Sequence, residues 1–438
     1  MTPSAEESYK GKWMALLAAF LGWMFDGFEM ALFPLAGRPA LRELMNAVGP
    51  EGDKLIGLWF SVIIACFLVG AAVGGVLFGW MGDRIGRVKA MVWCVLTYSV
   101  FSGLCAFVQT PWQLGVLRFI ASLGMGGEWA LGVALVAEIW PSTSRPLLAG
   151  LIGAAANVGF LLVGLIGLGL DKFVGSIGSA LNLLLPDPWV ESLLRNNGWR
   201  ILFLVGSIPA LLTFLIRLFV PESEKWKKAS QQFPKPRVSD IFKSGLARYT
   251  LLGAVLAGMA LLGTWGSVQW VPAWTGQMTR NDGGKVAWTQ IFMAVGAITI
   301  AIVAPLLAQK FNRRTVYFLM CIVSLAVCEM LFLWKPAFGF HFLLLATLAN
   351  GITAGFYGWM PLYLPELFPT RVRATGSGFC FNIGRIFAAA GALGGGALHQ
   401  KVFNGDYAAM CSVICLIYAA GMVVIWFCPE TKGNPLPE

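Results

Sequence analysis

The chain has 438 residues, 57% of them hydrophobic and only 12% charged, with a mean hydropathy of +0.72. That balance excludes an ordinary soluble domain and points to an integral membrane protein. The net charge of +10 gives no reason to expect a nucleic-acid partner, because much of the surplus lies in inner loops, where positive charge collects in membrane proteins.

Apolar runs of about 20 residues suit a hydrocarbon core of about 30 Å. Twelve of them predict membrane-spanning helices over residues 13–35, 56–79, 90–108, 112–138, 147–170, 199–220, 249–273, 287–308, 315–334, 340–364, 374–397 and 407–428. The first is too long for a removable leader and is read as a span. With both termini placed on the cytoplasmic side of the plasma (inner) membrane, Lys and Arg concentrate inside, as the positive-inside rule requires. The nine cysteines fall in or beside spans without a C-x-x-C, and there are two histidines, so neither a metal nor a cofactor is expected.

The first span carries "GWMFDGFEM", which places Asp26 and Glu29 in an apolar run. A buried charge costs about 2.5–3.5 kcal/mol on insertion scales, so such residues usually face a cavity or each other. Arg118 and Glu128 in span four and Arg385 in span eleven are the other buried charges. Counting about 1.5 Å per helical residue, Asp26 and Glu29 both come within about one turn of the depth of Arg118, which predicts an acid–arginine pair. The alternative is a static pair that only fixes helix packing. Two roles fit Glu128: passing a proton inward, or capping an inner gate. Arg385 lies near the midplane with no matching acid in its own half, and guanidinium grips carboxylate in a bidentate way, so it invites an anionic ligand. The competing reading pairs it with backbone carbonyls or with an acid of the first half. Asn157, Gln269, Asn350, Tyr357 and Asn382 are candidates for orienting hydrogen bonds, although amides in spans more often bond helix to helix. Trp265, four residues from Gln269, could line the same cavity. His341 and His399 fall near outer ends and read as solvent-facing.

The second half partly repeats the first. Glu138, Pro141, Arg145 and Gly150 of "AEIWPSTSRPLLAG" match Glu366, Pro369, Arg373 and Gly378 of "LPELFPTRVRATGSG", and "PESEKW" after span six matches "PETKG" after span twelve. The domains are therefore read as a bundle over 1–220, a linker over 221–248 and a second bundle over 249–438. Glu138, Arg145, Glu366 and Arg373 read as charges of an inner gate, or as a fixed surface network. The loop after span two reads "GWMGDRIGRVKA"; its counterpart "PLLAQKFNRR" has Gln309 and Asn312 where an acid and a glycine would stand, so the first version is expected to dominate.

The G-x-x-x-D-R-x-G-R of that loop, carried by Gly79, Asp83, Arg84, Gly86 and Arg87, resembles the signature loop of the major facilitator superfamily. The resemblance covers essentially the whole chain and implies an all-α membrane fold of 12 transmembrane helices in two pseudo-symmetric six-helix bundles, with Asp83, Arg84 and Arg87 in a charged lock. "DGFE" in span one with "RFIASLGMGGEW" in span four is similar to the organic-acid and sialate/lactate proton symporter branches. This second resemblance implies Asp26 and Arg118 as the proton-coupling pair, supported by Glu29 and Glu128. The expected activity is proton-coupled symport of a small organic anion, namely a monocarboxylate, sialate or sugar acid, by a monomer in the lipid bilayer. Neutral sugars and aromatic acids are alternative substrates, and a non-transporting nutrient sensor would keep the same site. Nothing resembles a nucleophile with its base or a phosphate loop, so no enzyme is expected.

Overall fold

A computed structural model describes residues 5–183, 186–208, 216, 219–243, 245–397 and 402–438. Among them every regular element is helical. The first half supplies α1 (Ala5–Leu44), α2 (Gly49–Ile85), α3 (Arg87–Leu104), α4 (Pro111–Ile139), α5 (Arg145–Leu168), α6 (Leu170–Leu181) and α7 (Asp187–Val205). A short α8 (Glu224–Gln232) follows, and then the second half: α9 (Leu246–Gly266), α10 (Val271–Met278), α11 (Gly283–Lys310), α12 (Arg313–Trp334), α13 (Phe340–Tyr363), α14 (Arg373–Ala397), α15 (Tyr407–Cys415) and α16 (Ile417–Val424).

Ten helical segments among the described residues are long and apolar enough to cross a membrane, and α14 covers the predicted eleventh span. The predicted sixth span, 199–220, lies partly outside the described residues, as does His399. Two predicted spans are interrupted. The seventh breaks at Ser267 (φ −124°, ψ −76°), passes through a 3-10 turn at Val268–Trp270 and resumes as α10. The twelfth runs as α15, α16 and a final 3-10 turn at Ile425–Phe427. Between spans five and six the sequence forms a pair of helices: α6 packs on the first turns of α7, and the chain then kinks through Asn196, Asn197 and Gly198, all at positive φ.

Small residues set how closely the helices approach. A side chain at Gly126 of α4 would collide with the Ala71 carbonyl of α2, and α2 and α4 form one of the most extensive packing seams. Between the halves, α2 packs on α14 and α5 on α11.

The repeat is visible in individual bonds. Arg87 and Arg313 each open a helix and each donate from Nη1 to a carbonyl five residues earlier, Gly82 and Ala308, both at 2.8 Å. Arg87 donates to Glu138 (3.0 Å) and Arg313 to Glu366 (2.7 Å). Glu222 accepts from the amides of Arg87 and Val88 (3.0 and 3.2 Å), as Glu430 does from those of Arg313 and Arg314 (3.1 Å each).

Both ends of the chain reach the same face as these arginines. Trp140 Nε1 donates to the Lys12 carbonyl, and Arg373 donates to the Pro437 carbonyl. This is called the terminal face below.

Candidate functional site

The central cavity lies between the halves. Its walls come from α1 (Trp23, Met30), α5 (Asn157, Phe160), α9 (Thr264, Trp265), the turn after it (Gln269), α13 (Asn350, Tyr357) and α14 (Phe381, Arg385). The interruption at Ser267 turns Gln269 into the wall. Trp23 and Met30 lie at i−3 and i+4 from Asp26, and Phe381 lies at i−4 from Arg385. Trp23, Phe160 and Phe381 were missed by the sequence reading; helical spacing from the buried charges is the signal that could have found Trp23 and Phe381.

Arg385 is 5% exposed and makes no hydrogen bond or ion pair among the described residues; its guanidinium carbon sits 5.5 Å from the centre of the Phe381 ring. The acid acting on it electrostatically is Asp26, which lies beyond ion-pair distance. Asp26 is fully buried with no hydrogen bond to either oxygen, and neither oxygen of Glu128 has one. These two acids act on each other and on the buried Tyr98 and Cys94. The Glu128 carboxylate rests where a side chain at position 22 would stand, so Gly22 of α1 makes room for it. Glu128 lines neither the cavity nor the terminal face.

The Asp26–Arg118 pair is not formed. Arg118 binds Glu29, whose Oε1 also accepts from Ser102 Oγ (2.9 Å). The rings of Phe33, Phe67 and Phe203 surround the guanidinium, at 4.7, 4.7 and 6.0 Å. The cause is rotation about α1: residues three apart differ by about 60° around a helix. Depth alone did not separate the two acids; rotation brings Glu29 onto Arg118 and leaves Asp26 within electrostatic reach of Glu128 and Arg385 without an ion pair to Arg118.

Asn382 is also placed differently from expectation. Its Nδ2 donates to the carbonyls of Gly126 (3.0 Å) and Gly378 (2.9 Å), which makes it a clamp between α4 and α14 outside the cavity walls. Asn350 lines the cavity while donating to the Met293 carbonyl (2.9 Å). Asn157, Gln269 and Tyr357 line it as well.

At the terminal face, Glu138 Oε1 accepts from Arg87 (3.0 Å) of its own half and from Arg373 (2.9 Å) of the other, all fully or nearly fully buried. Arg87 also donates to the Thr370 carbonyl (2.8 Å). Asp83 caps α14, accepting from the amides of Ala374 (3.2 Å) and Thr375 (2.8 Å) and from Thr375 Oγ1 (2.5 Å). The first-half loop thus ties the halves together. Arg313, in contrast, bonds within its own half to Glu366 and Ala308, and Gln309 is exposed. Arg84 lies outside this network, exposed over the Trp80 ring at 5.0 Å. Arg145 is half-buried near Glu366 but forms no ion pair with it. His341 is exposed against Trp334 and Phe340. Glu329 accepts from Ser412 (2.5 Å), away from the cavity. All nine cysteines are free, and no group of His, Cys, Asp and Glu among the described residues could hold a metal.

The family model described as Major Facilitator Superfamily matches residues 15–392. The "Probable 4-methylmuconolactone transporter" of Cupriavidus pinatubonensis is 29% identical over 95% of this chain and 90% of its own. The cis,cis-muconate transport protein of Acinetobacter baylyi is 29% identical over 86% of this chain and 85% of its own. Among solved structures, a proton:xylose symporter bound to 6-bromo-6-deoxy-D-glucose superposes with a TM-score of 0.75 at 18% identity, covering 98% of each chain, a likeness of fold.

Proposed function

Because the chain belongs to the Major Facilitator Superfamily and is a multi-pass membrane transporter, we propose that it takes up a small organic anion with one or more protons. In this reading the bundles 1–220 and 249–438, joined by the linker 221–248, rock about the central cavity. It acts as a monomer in the inner membrane with the terminal face in the cytoplasm, and Asp83, Arg87, Glu138 and Arg373 lock that face.

The observation that carries this proposal is Arg385: a buried guanidinium in the cavity wall with no ion pair and no hydrogen bond among the described residues. A carboxylate supplies two parallel acceptors that a neutral sugar lacks. Trp23, Phe160, Trp265, Tyr357 and Phe381 give the cavity flat walls. Within the organic acids they favour an unsaturated or aromatic carboxylate over lactate or a sugar acid, and the names of the two relatives point the same way. Coupling follows from charge balance. Asp26 balances Arg385 in the empty carrier; when the substrate carboxylate takes Arg385, Asp26 loses its counter-charge and takes up a proton. Substrate and proton then cross together. Arg118, held by Glu29, fixes the bundle.

The test is binding by the purified protein of cis,cis-muconate, benzoate, lactate, gluconate, sialate and glucose, repeated with Arg385→Ala. Truncating a buried charge-assisted contact costs about 2–5 kcal/mol, so acid affinity should fall by about 30-fold or more. Glucose binding that ignores the substitution would overturn the anion reading.

A further inference from the structure

Four residues along α14 from Arg385 toward the terminal face, Phe381 stacks on Trp129 of α4 with ring centres 3.9 Å apart and planes within 12° of parallel. The two rings belong to opposite halves. Phe381 also lines the cavity, meets Trp23 and Tyr357 edge-on at 5.9 and 6.2 Å, and carries the Arg385 guanidinium over its face. Trp129 lies behind it, fully buried and outside the cavity walls.

Around this stack α4 and α14 run antiparallel in register. Glu138 bonds Arg373 at the terminal face, Trp129 meets Phe381 in the middle, and Gly126 accepts from Asn382 alongside. The stack is therefore the layer of the seam between the cavity and the ionic lock. No opening of the terminal face can leave it intact, because its two rings move with different bundles.

We propose that Phe381 is the floor of the substrate cavity and that its stack on Trp129 is the gate through which occupancy of Arg385 is passed to the terminal face. Trp129 is the positioning residue of that gate. The indole Nε1 of Trp129 has no acceptor. The closed seam thus holds a buried donor unsatisfied, which opposes the gain from stacking and leaves the seam easy to open. A carboxylate drawn to Arg385 neutralises the charge that the guanidinium presents to the Phe381 ring, so ligand interacts differently with the closed and the opened seam. A ligand can shift a conformational equilibrium only through such a difference. The inference rests on the alternating-access reading and goes beyond it by naming the element that both sites bias.

The test is hydrogen exchange by mass spectrometry on the full chain in nanodiscs, with and without benzoate as the probe, alongside calorimetric benzoate binding. Trp129→Leu keeps most of the volume without the flat face; Trp129→Phe restores a ring. Without ligand, Trp129→Leu should exchange at least fivefold faster across 140–145 and 366–372, with exchange in the α2–α4 interior unchanged. Benzoate affinity should change by less than threefold, yet benzoate should no longer alter exchange at the terminal face as it does in the parent. Trp129→Phe should behave as the parent. Parent-like exchange in ligand-free Trp129→Leu, or a full benzoate effect on it, overturns the proposal. If benzoate and muconate do not bind the parent at all, the substrate reading fails while the ligand-free comparison still decides the gate.

Discussion

Three residues along α1 turn a side chain by about 60°, and at Asp26 and Glu29 that rotation decides which charges each carboxylate meets. Glu29 ends on Arg118 inside a ring of three phenylalanines. Removing its charge leaves a buried guanidinium with no acid, and breaking a buried pair from one side costs about 3–5 kcal/mol. Glu29→Gln should therefore lower the thermal midpoint of the purified protein by many degrees, and a shift of under two degrees would refute a structural pair. Asp26 has no hydrogen bond to lose. Asp26→Asn should keep the midpoint within a few degrees and keep substrate exchange across proteoliposomes while abolishing uphill uptake; persistence of uphill uptake would remove Asp26 from coupling. The burial of Asp26, Glu29, Arg118, Glu128 and Arg385 was legible in the sequence, as was the exceptional position of Arg385, whereas the burial of Asp83, Arg87, Glu138 and Arg373 was not. Which acid met which arginine was not, because pairing depends on helix rotation and on neighbours such as Ser102 of α3. The cavity aromatics were hidden for a related reason: a phenylalanine in an apolar span carries no signal of its own.

At the scale of the helix, matched acids do matched work under different conditions. Glu222 and Glu430 cap α3 and α12 through two backbone amides each. Burial dominates at Glu222 and raises its pKa, whereas at Glu430 the amides of Arg313, Arg314 and Lys432, with the Arg313 charge, outweigh burial and lower it. The signs follow. A carboxylate depressed in the folded state adds stability above its unfolded pKa, and that stability is lost as pH falls through the folded value. Glu430→Gln should therefore destabilise at pH 7 by about 1 kcal/mol, the usual worth of a cap, and the difference from the parent should shrink as pH falls below the ordinary 4.5 of a glutamate. Glu222→Gln should show no such convergence, since protonation of its raised carboxyl favours the folded state. Thermal midpoints of both variants from pH 7 to 3.5 measure this, and parallel curves for the two would contradict it. The "PESEKW" and "PETKG" echo announced that these acids correspond. It carried no information on their degree of burial, nor did hydropathy announce the break at Ser267, where a continuous apolar run gives way to a turn that seats Gln269 in the cavity.

In the whole molecule the two halves are joined at the terminal face by more than the ionic lock. After Glu430 the chain is pinned step by step: Thr431 donates to Glu366 (2.6 Å), Lys432 to the carbonyls of Lys310 and Phe311, and the Pro437 carbonyl accepts from Arg373 (2.6 Å). Between these points Leu436, 7% exposed, lines a small pocket together with Val133, Val136 and Ala137 of α4, Ala149 and Ile152 of α5, and Pro361 and Leu362 of α13. The walls of that pocket come from both bundles, and one residue beyond Leu436 the Pro437 carbonyl accepts from Arg373, which also donates to Glu138. Opening this face must expose Leu436. Burying a leucine is worth about 1.5–3 kcal/mol, and about 1.4 kcal/mol is tenfold in an equilibrium. Leu436→Ala should therefore shift the closed-to-open ratio at the terminal face by about tenfold toward open without touching the cavity. Spin labels on the exposed positions Lys89 and Lys310, one in each half, report that ratio as the population of longer distances in a double electron–electron resonance experiment. An unchanged distance distribution would mean that this segment rides on the second bundle and that the lock of Arg87, Glu138 and Arg373 alone holds the face shut.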